Sequence, residues 1–203
     1  MDGDDQHPCC VSATPAIGEN RHMKAVQLAD LRTALLDRVV PDPSAGVGEV
    51  VVEIRAAGIC HSDAHYRAGR SQLGALPRTL GHEIAGLVAE TGQRVAVHYL
   101  LDSGAMIGKE VDGGFAEKIV VPARNCVAIP PNVSFETAAV MMCSTATAYH
   151  ALRIAPVHRG EIVAIVGLGG VGFSALLLAR LLGARAIAVD RIAGKRALAE
   201  RLG

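Results

Sequence analysis

The chain has 203 residues, half of them apolar and a fifth charged, with 20 Lys+Arg set against 20 Asp+Glu. That suits one large domain or two small ones of ordinary globular composition, and the neutral balance removes the electrostatic case for nucleic acid or an anionic membrane surface. Aromatic residues amount to 3% and Trp is absent, so the core must be built from Val, Leu, Ile and Ala.

Residues 1–22 open on Met1-Asp2-Gly3-Asp4-Asp5, acidic where a secretion signal would be basic. They lack periodicity and read as a flexible N-terminal extension. The five cysteines, at 9, 10, 60, 126 and 143, are odd in number and irregularly spaced, which favours reduced thiols in a cytoplasmic protein over a disulfide framework. Met23-Lys24-Ala25-Val26 begins the first strand-like run, and Met23 is an alternative start.

Up to about residue 130 the pattern is short β-rich runs cut by Gly and Pro: Val50–Ile54, Ile84–Val88, Arg94–Val97 and Ala116–Val121. Such runs predict a mainly β domain, a distorted barrel. After Pro130-Pro131 the texture changes. Ser134 is a candidate N-cap for a helix through Met142, and a second helical run covers Thr145–Arg153. Then come strand Ile162–Val166, a glycine turn, helix Val171–Leu182, strand Arg185–Val189 and a helix from Ala193 to Leu202. Ile162–Ala179 carries no charge, but its glycines break it into strand, turn and helix rather than a membrane span. This is the opening of a parallel α/β sheet, and the expected division is 23–153 and 154–203.

Gly167-Leu168-Gly169-Gly170-Val171-Gly172 fits a dinucleotide fingerprint, with glycines for the tight turn, for approach of a pyrophosphate and for helix–strand packing. The following helix N-terminus offers free N–H groups. Asp190 ends the next strand and can accept from ribose hydroxyls while repelling a 2′-phosphate, which favours NAD over NADP; Arg191 beside it weakens that preference. A glycine turn of some other α/β fold is the alternative.

Cys60, His82 and Cys143 are the residue types that suit a catalytic zinc, which needs about three protein ligands and one open position. They lie far apart in sequence, so spacing alone assigns no metal.

The motifs Gly58–His65, Leu80–Glu83, Asp112–Glu117, Cys143–Tyr149 and Gly167–Gly172 with Asp190 occur in the order found in the medium-chain zinc-dependent alcohol dehydrogenases, and from Met23 to Gly203 the chain resembles that family. The resemblance implies a GroES-like β-barrel catalytic domain followed by the first βαβ unit of a Rossmann domain. It implies Cys60, His82 and Cys143 as zinc ligands, with Glu83 behind the metal and Asp63 orienting His82. Ser62 and His65 would relay the alcohol proton, His61 would face the pyrophosphate and Thr147 the nicotinamide. Gly167, Gly169, Gly170, Val171 and Gly172 would cradle NAD, with Asp190, Arg191 and Lys195 at its adenosine ribose. The implied reaction is hydride transfer between a small alcohol or aldehyde and NAD, with zinc as Lewis acid. Family members are homo-oligomers.

Three departures stand out. Leu100–Glu110 has no cysteine where many members hold a structural zinc, so one catalytic zinc and no structural zinc is expected. The turn at Thr91–Arg94 is shortened. The sequence given ends after the second strand of the cofactor domain, which suggests a truncated form, with a zinc-binding, catalytically inactive remnant as the alternative.

Overall fold

The computed structural model describes residues 21–203. The expected extension, with Cys9, Cys10 and the choice of start, lies outside them except for Arg21 and His22, and His22 already pairs in the first strand.

In chain order the elements of the first unit are β1 (His22–Leu28), β2 (Leu35–Pro41), β3 (Glu49–Gly58), α1 (His61–Arg67), β4 (Arg78–Thr79), β5 (Glu83–Val88), β6 (Arg94–Val97), β7 (Lys118–Pro122) and β8 (Cys126–Ala128). Helix α2 (Phe135–Val140), a π-helical turn (Met141–Thr145) and α3 (Ala146–Ile154) lead to β9 (Ile162–Val166), α4 (Gly170–Leu181), β10 (Arg185–Val189) and α5 (Ala193–Leu202). The strands predicted around residues 50, 84, 94, 162 and 185 are all present.

An antiparallel sheet of order β7-β3-β5-β6-β8 and a smaller one of order β2-β1-β4 form the barrel. They are stitched where Ala25 bridges Ala116 and Val26 N donates to Phe115 O at 2.7 Å. The predicted strand from Ala116 therefore starts two residues later, because residues 115–117 pair with β1 before the chain joins the larger sheet.

Strand β5 explains the layering. Alternation sends Ile84 into the interior with Val52, Val95, Val97, Ile107 and Val121, and Ala85 to the other face against Ala138 and Ala139 of α2. Each such Val or Ile contributes about 1.5–3 kcal/mol by leaving water. Gly86 sits beside the irregular register between Ile54 and Ala56, where an added Cβ would fall 2.1 Å from Glu53 O. The shortened turn closes a tight hairpin, with Gly92 in the left-handed region and its N–H donating to Val88 O at 2.8 Å. The adjoining strands keep continuous pairing from Leu87↔Arg94 to Ile84↔Val97.

Strands β2, β4 and β8 and helix α1 escaped the sequence reading, and two of them show why. Strand β2 is almost wholly exposed, so it carries no alternating apolar signal. Helix α1 is short and lacks a Ser, Thr, Asp or Asn cap; Cys60 occupies the N-cap, in a reciprocal box with Asp63.

In the second unit β9 and β10 pair in parallel, and Ile165, Leu168, Leu176 and Ala199 form its core with α4 and α5. The opposite sheet face is bare: Val166 is 80% exposed, Ile162 59% and Ile187 53%. No helix of the described residues is long and apolar enough to cross a membrane.

Because Gly86 meets backbone rather than a pliable side chain, Gly86→Ala is expected to destabilise the barrel by about 1–3 kcal/mol or more. Urea unfolding with an unchanged midpoint would contradict this.

Candidate metal centre and nucleotide loop

Antiparallel pairing of β3 with β5 sets Gly58 opposite Glu83, so the chain leaving β3 at Cys60 lies beside His82. An added Cβ on Gly58 would stand 2.1 Å from Glu83 Oε2, so the glycine makes room for that carboxylate. Cys143 arrives from the π-helical turn between α2 and α3, the break read between the two predicted helices. Single π turns recur at functional sites because they re-aim one side chain.

Cys60, His82, Glu83 and Cys143 present donor atoms that all lie within 4.8 Å of one another. A tetrahedral zinc with Zn–S about 2.3 Å and Zn–N about 2.05 Å sets S···S near 3.8 Å and S···N near 3.5 Å. Here the two sulfurs are 3.8 Å apart, and Cys143 Sγ stands 3.5 Å from His82 Nε2. All three described cysteines are free thiols. The donor set and its spacing fit zinc.

Asp63 knits the centre together. It is 5% exposed, and its Oδ2 accepts from Cys60 N at 2.9 Å while Oδ1 accepts from Gly81 N at 3.3 Å. His82 Nδ1, buried and without a hydrogen-bond partner, faces Asp63 Oδ1 at 3.6 Å. That distance is electrostatic contact rather than a good hydrogen bond. It leaves Nε2 as the ring nitrogen turned to the thiols.

With no metal bound, the clustered donors share protons that a cation would have to displace. Hydrogen bonding from Cys143, then from His82, lowers the Cys60 thiol to about 3. The same contact, with burial, pushes Cys143 up. Burial alone would depress His82, but Asp63 and the Cys60 thiolate outweigh it and lift the imidazole to about 9. Glu83 is raised, mainly by burial and next by the Cys60 charge.

The remaining residues fall into two groups. Ser62 Oγ lies 3.6 Å from Cys60 Sγ, and the rings of His61 and His65 are 4.6 Å apart on α1. Thr147 is on α3, beside the phenol of Tyr99. At the glycine loop, Gly167 adopts φ +94°, and an added Cβ on Gly172 would fall 1.9 Å from Gly167 O, whereas one on Gly169 would meet open space. Gly167 is thus fixed by conformation and Gly172 by packing. Gly169 leaves room where a pyrophosphate would approach. Val171 is exposed in the first turn of α4. Asp190 accepts from Leu168 N at 2.7 Å and from Ile192 N at 2.9 Å, with Lys195 Nζ 3.8 Å away and Arg191 exposed beside it. Its carboxylate oxygens keep lone pairs free for a ribose hydroxyl.

The two groups touch. Gly170 packs on Ser144, the neighbour of Cys143, at a would-be Cβ separation of 3.3 Å, and Thr145 Oγ1 meets Ser174 Oγ of α4 at 3.1 Å. Sequence reasoning missed Tyr99, whose ring stands edge-on to His82 with centroids 5.4 Å apart. It lies just past the end of β6 in no motif, so nothing in the sequence marked it.

Residues 46–131 match the family described as the alcohol dehydrogenase GroES-like domain. The chain is 35% identical over 208 residues to an alcohol dehydrogenase of Geobacillus stearothermophilus, covering 89% of this chain and 62% of the relative. It is 32% identical to an NAD-dependent alcohol dehydrogenase of Sulfurisphaera tokodaii, covering 83% of this chain and 58% of the relative. The cobalt- and zinc-bound thermostable alcohol dehydrogenase of Pyrobaculum aerophilum superposes with a TM-score of 0.83 at 29% identity, over 90% of this chain and 64% of that one. Fold and site together define a GroES-like dehydrogenase barrel joined to the opening unit of a dinucleotide-binding sheet. Residues 46–131 thus belong to the alcohol dehydrogenase GroES-like domain family, and the chain as a whole, which is similar to these alcohol dehydrogenases, spans about three fifths of their length.

Asp63→Ala is expected to weaken zinc binding by about 10–100-fold, the usual cost of losing a ligand's supporting carboxylate. Competition against a chromophoric chelator measures this, and an unchanged affinity would mean that Asp63 does not support the ligands. The Ile192 and Leu168 N–H groups, with Lys195 and Arg191 nearby, hold the Asp190 carboxyl below its ordinary value. A depressed folded pKa stabilises the loop above the ordinary carboxylate value, and that support is lost as pH falls through the lower folded one. The protection factor of the Leu168 amide, its exchange rate relative to the unprotected rate at the same pH, should therefore fall below about pH 4, and Asp190→Asn should abolish this acid dependence.

Proposed function

We propose that the chain carries the catalytic metal centre and part of the cofactor site of a zinc-dependent, NAD-linked oxidoreductase acting on small alcohols or aldehydes. The observation that carries this reading is the spacing of two sulfurs and one imidazole nitrogen at tetrahedral zinc distances, directly against the glycine loop through Ser144 and Gly170. Cys60, His82 and Cys143 would hold one zinc and leave its fourth position open, with the Glu83 carboxylate behind the site. When bound, zinc supplies Lewis acidity that makes an alcohol hydroxyl more acidic and polarises an aldehyde carbonyl. No structural zinc is expected, since residues 100–110 contain no cysteine.

The chain's own groups supply the rest. Ser62, next to Cys60, accepts the alcohol proton, and His65 passes it towards solvent, a task suited to an imidazole. His61 balances pyrophosphate charge, and Thr147 packs against the nicotinamide. The glycine loop and the N-terminus of α4 receive the pyrophosphate. Asp190 and Lys195 take the adenosine ribose, and the Asp190 charge disfavours a 2′-phosphate although Arg191 is adjacent. The NAD dependence named for the Sulfurisphaera relative and the metals named for the Pyrobaculum one support both assignments.

The test combines zinc-loaded chain, NAD and a series of small aliphatic alcohols, with NADH fluorescence as readout. We expect one zinc per chain and NADH formation that Ser62→Ala reduces by about 10²–10⁴-fold. Asp190→Ala should erode the preference for NAD over NADP. The alternative is a zinc-binding protein that holds nucleotide weakly and does not turn over. One zinc per chain with no NADH formed would decide for it.

A further inference from the structure

Beyond the end of β6 the segment 98–100 leaves the sheet, yet it carries Tyr99 to the side of the ligand His82. What holds it is Asn125, 5% exposed in the 3-10 turn Ala123–Asn125 between β7 and β8. Its side-chain Nδ2 donates to His98 O at 2.7 Å and to Leu100 O at 2.9 Å, and its backbone O accepts from His98 N at 2.8 Å. Two carbonyl acceptors fix which end of the amide faces the segment. The amide thus takes the place of a missing strand and grips the backbone on both sides of Tyr99. The Tyr99 carbonyl is held separately by Ile107 N at 2.9 Å. The aromatic ring is left with little freedom: it stacks on His98 with centroids 5.6 Å apart, meets His82 edge-on, and brings its phenol beside Thr147.

We infer that Asn125 is a positioning residue for the metal centre: through Tyr99 it sets the wall beside His82 and so the shape of the space open to a fourth metal ligand. The inference rests on the reading of Cys60, His82 and Cys143 as ligands, and it deepens that reading by assigning a buried polar residue to the site. Losing the amide leaves two carbonyls without their partner and frees the segment to swing Tyr99 away from the imidazole.

The experiment has two independent arms. In the first, NMR cross-relaxation between the ring protons of Tyr99 and His82 is followed in the chain without metal. It should be present in the wild type and lost in Asn125→Ala. In the second, the cobalt-substituted chain is titrated with imidazole as an external fourth ligand and followed by its visible absorption. Asn125→Ala should shift the imidazole Kd about three- to tenfold, and the shift should vanish in a Tyr99→Ala background, because the two residues act as one unit. A purely structural role would leave a shift in both backgrounds. Asn125→Asp, which keeps the shape and removes the amide, serves if the alanine variant does not fold, and it should move both readouts the same way. Intact cross-relaxation and an unchanged Kd in a folded variant would overturn the inference. Cobalt uptake without thiolate charge-transfer bands would overturn the ligand reading instead, with the NMR arm still deciding the clamp.

Discussion

The centre depends on one carboxylate. Asp63 reaches two separate pieces of chain at three points: the Cys60 amide before α1, and the Gly81 amide and His82 ring before β5. A carboxylate buried to 5% exposure is costly unless its charge is shared among donors. Here those donors are the backbone and imidazole of the segments that carry Cys60 and His82. The desolvation cost therefore acts as a constraint, since moving either segment would leave a buried charge unsatisfied. The same contact governs His82, whose buried imidazole would otherwise be pushed towards its neutral form.

Around that carboxylate the barrel brings together residues far apart in sequence by register alone. Gly58 opposite Glu83 in the β3–β5 ladder means that the residues just outside the sheet, Cys60 and His82, must be neighbours. A register slip of one residue would turn Ile84 out of the core, so hydrophobic burial on β5 fixes the ligand geometry as well. Gly58 and Gly86 mark the two places on this ladder where a side chain cannot be accommodated, one against the Glu83 carboxylate and one against the Glu53 carbonyl.

How much of this was legible in sequence follows from which signals are local. The glycine turn, the strand before it and the helix after it are written in consecutive residues, and the structure reproduces them with Gly167 and Gly172 in constrained places. Ser134 announced α2 because a cap acts within one turn, its Oγ accepting from Thr137 N at 3.2 Å. The pairing of Cys60 with His82 and Cys143 had no local signature and became readable only through family resemblance, because β-sheet register joins residues by partner rather than by spacing. Tyr99 and Asn125 were invisible for the same reason. Their importance comes from the end of β6 and the turn after β7 lying side by side, and neither belongs to a motif. The exposed strand β2 lacked the alternation that burial would have imposed.

The barrel supplies two of the proposed ligands from just beyond its strand ends, but the third comes from outside it. Cys143 sits in the π-helical turn that joins α2, packed on the sheet, to α3, packed on α4. Its neighbour Ser144 rests against Gly170 and Thr145 against Ser174, so the sulfur's position is set by how the nucleotide-loop helix docks. A small displacement of α4 would move Cys143 relative to Cys60 and His82, which belong to the barrel. Donor spacing at the metal and the seating of α4 are therefore mechanically linked through two residues.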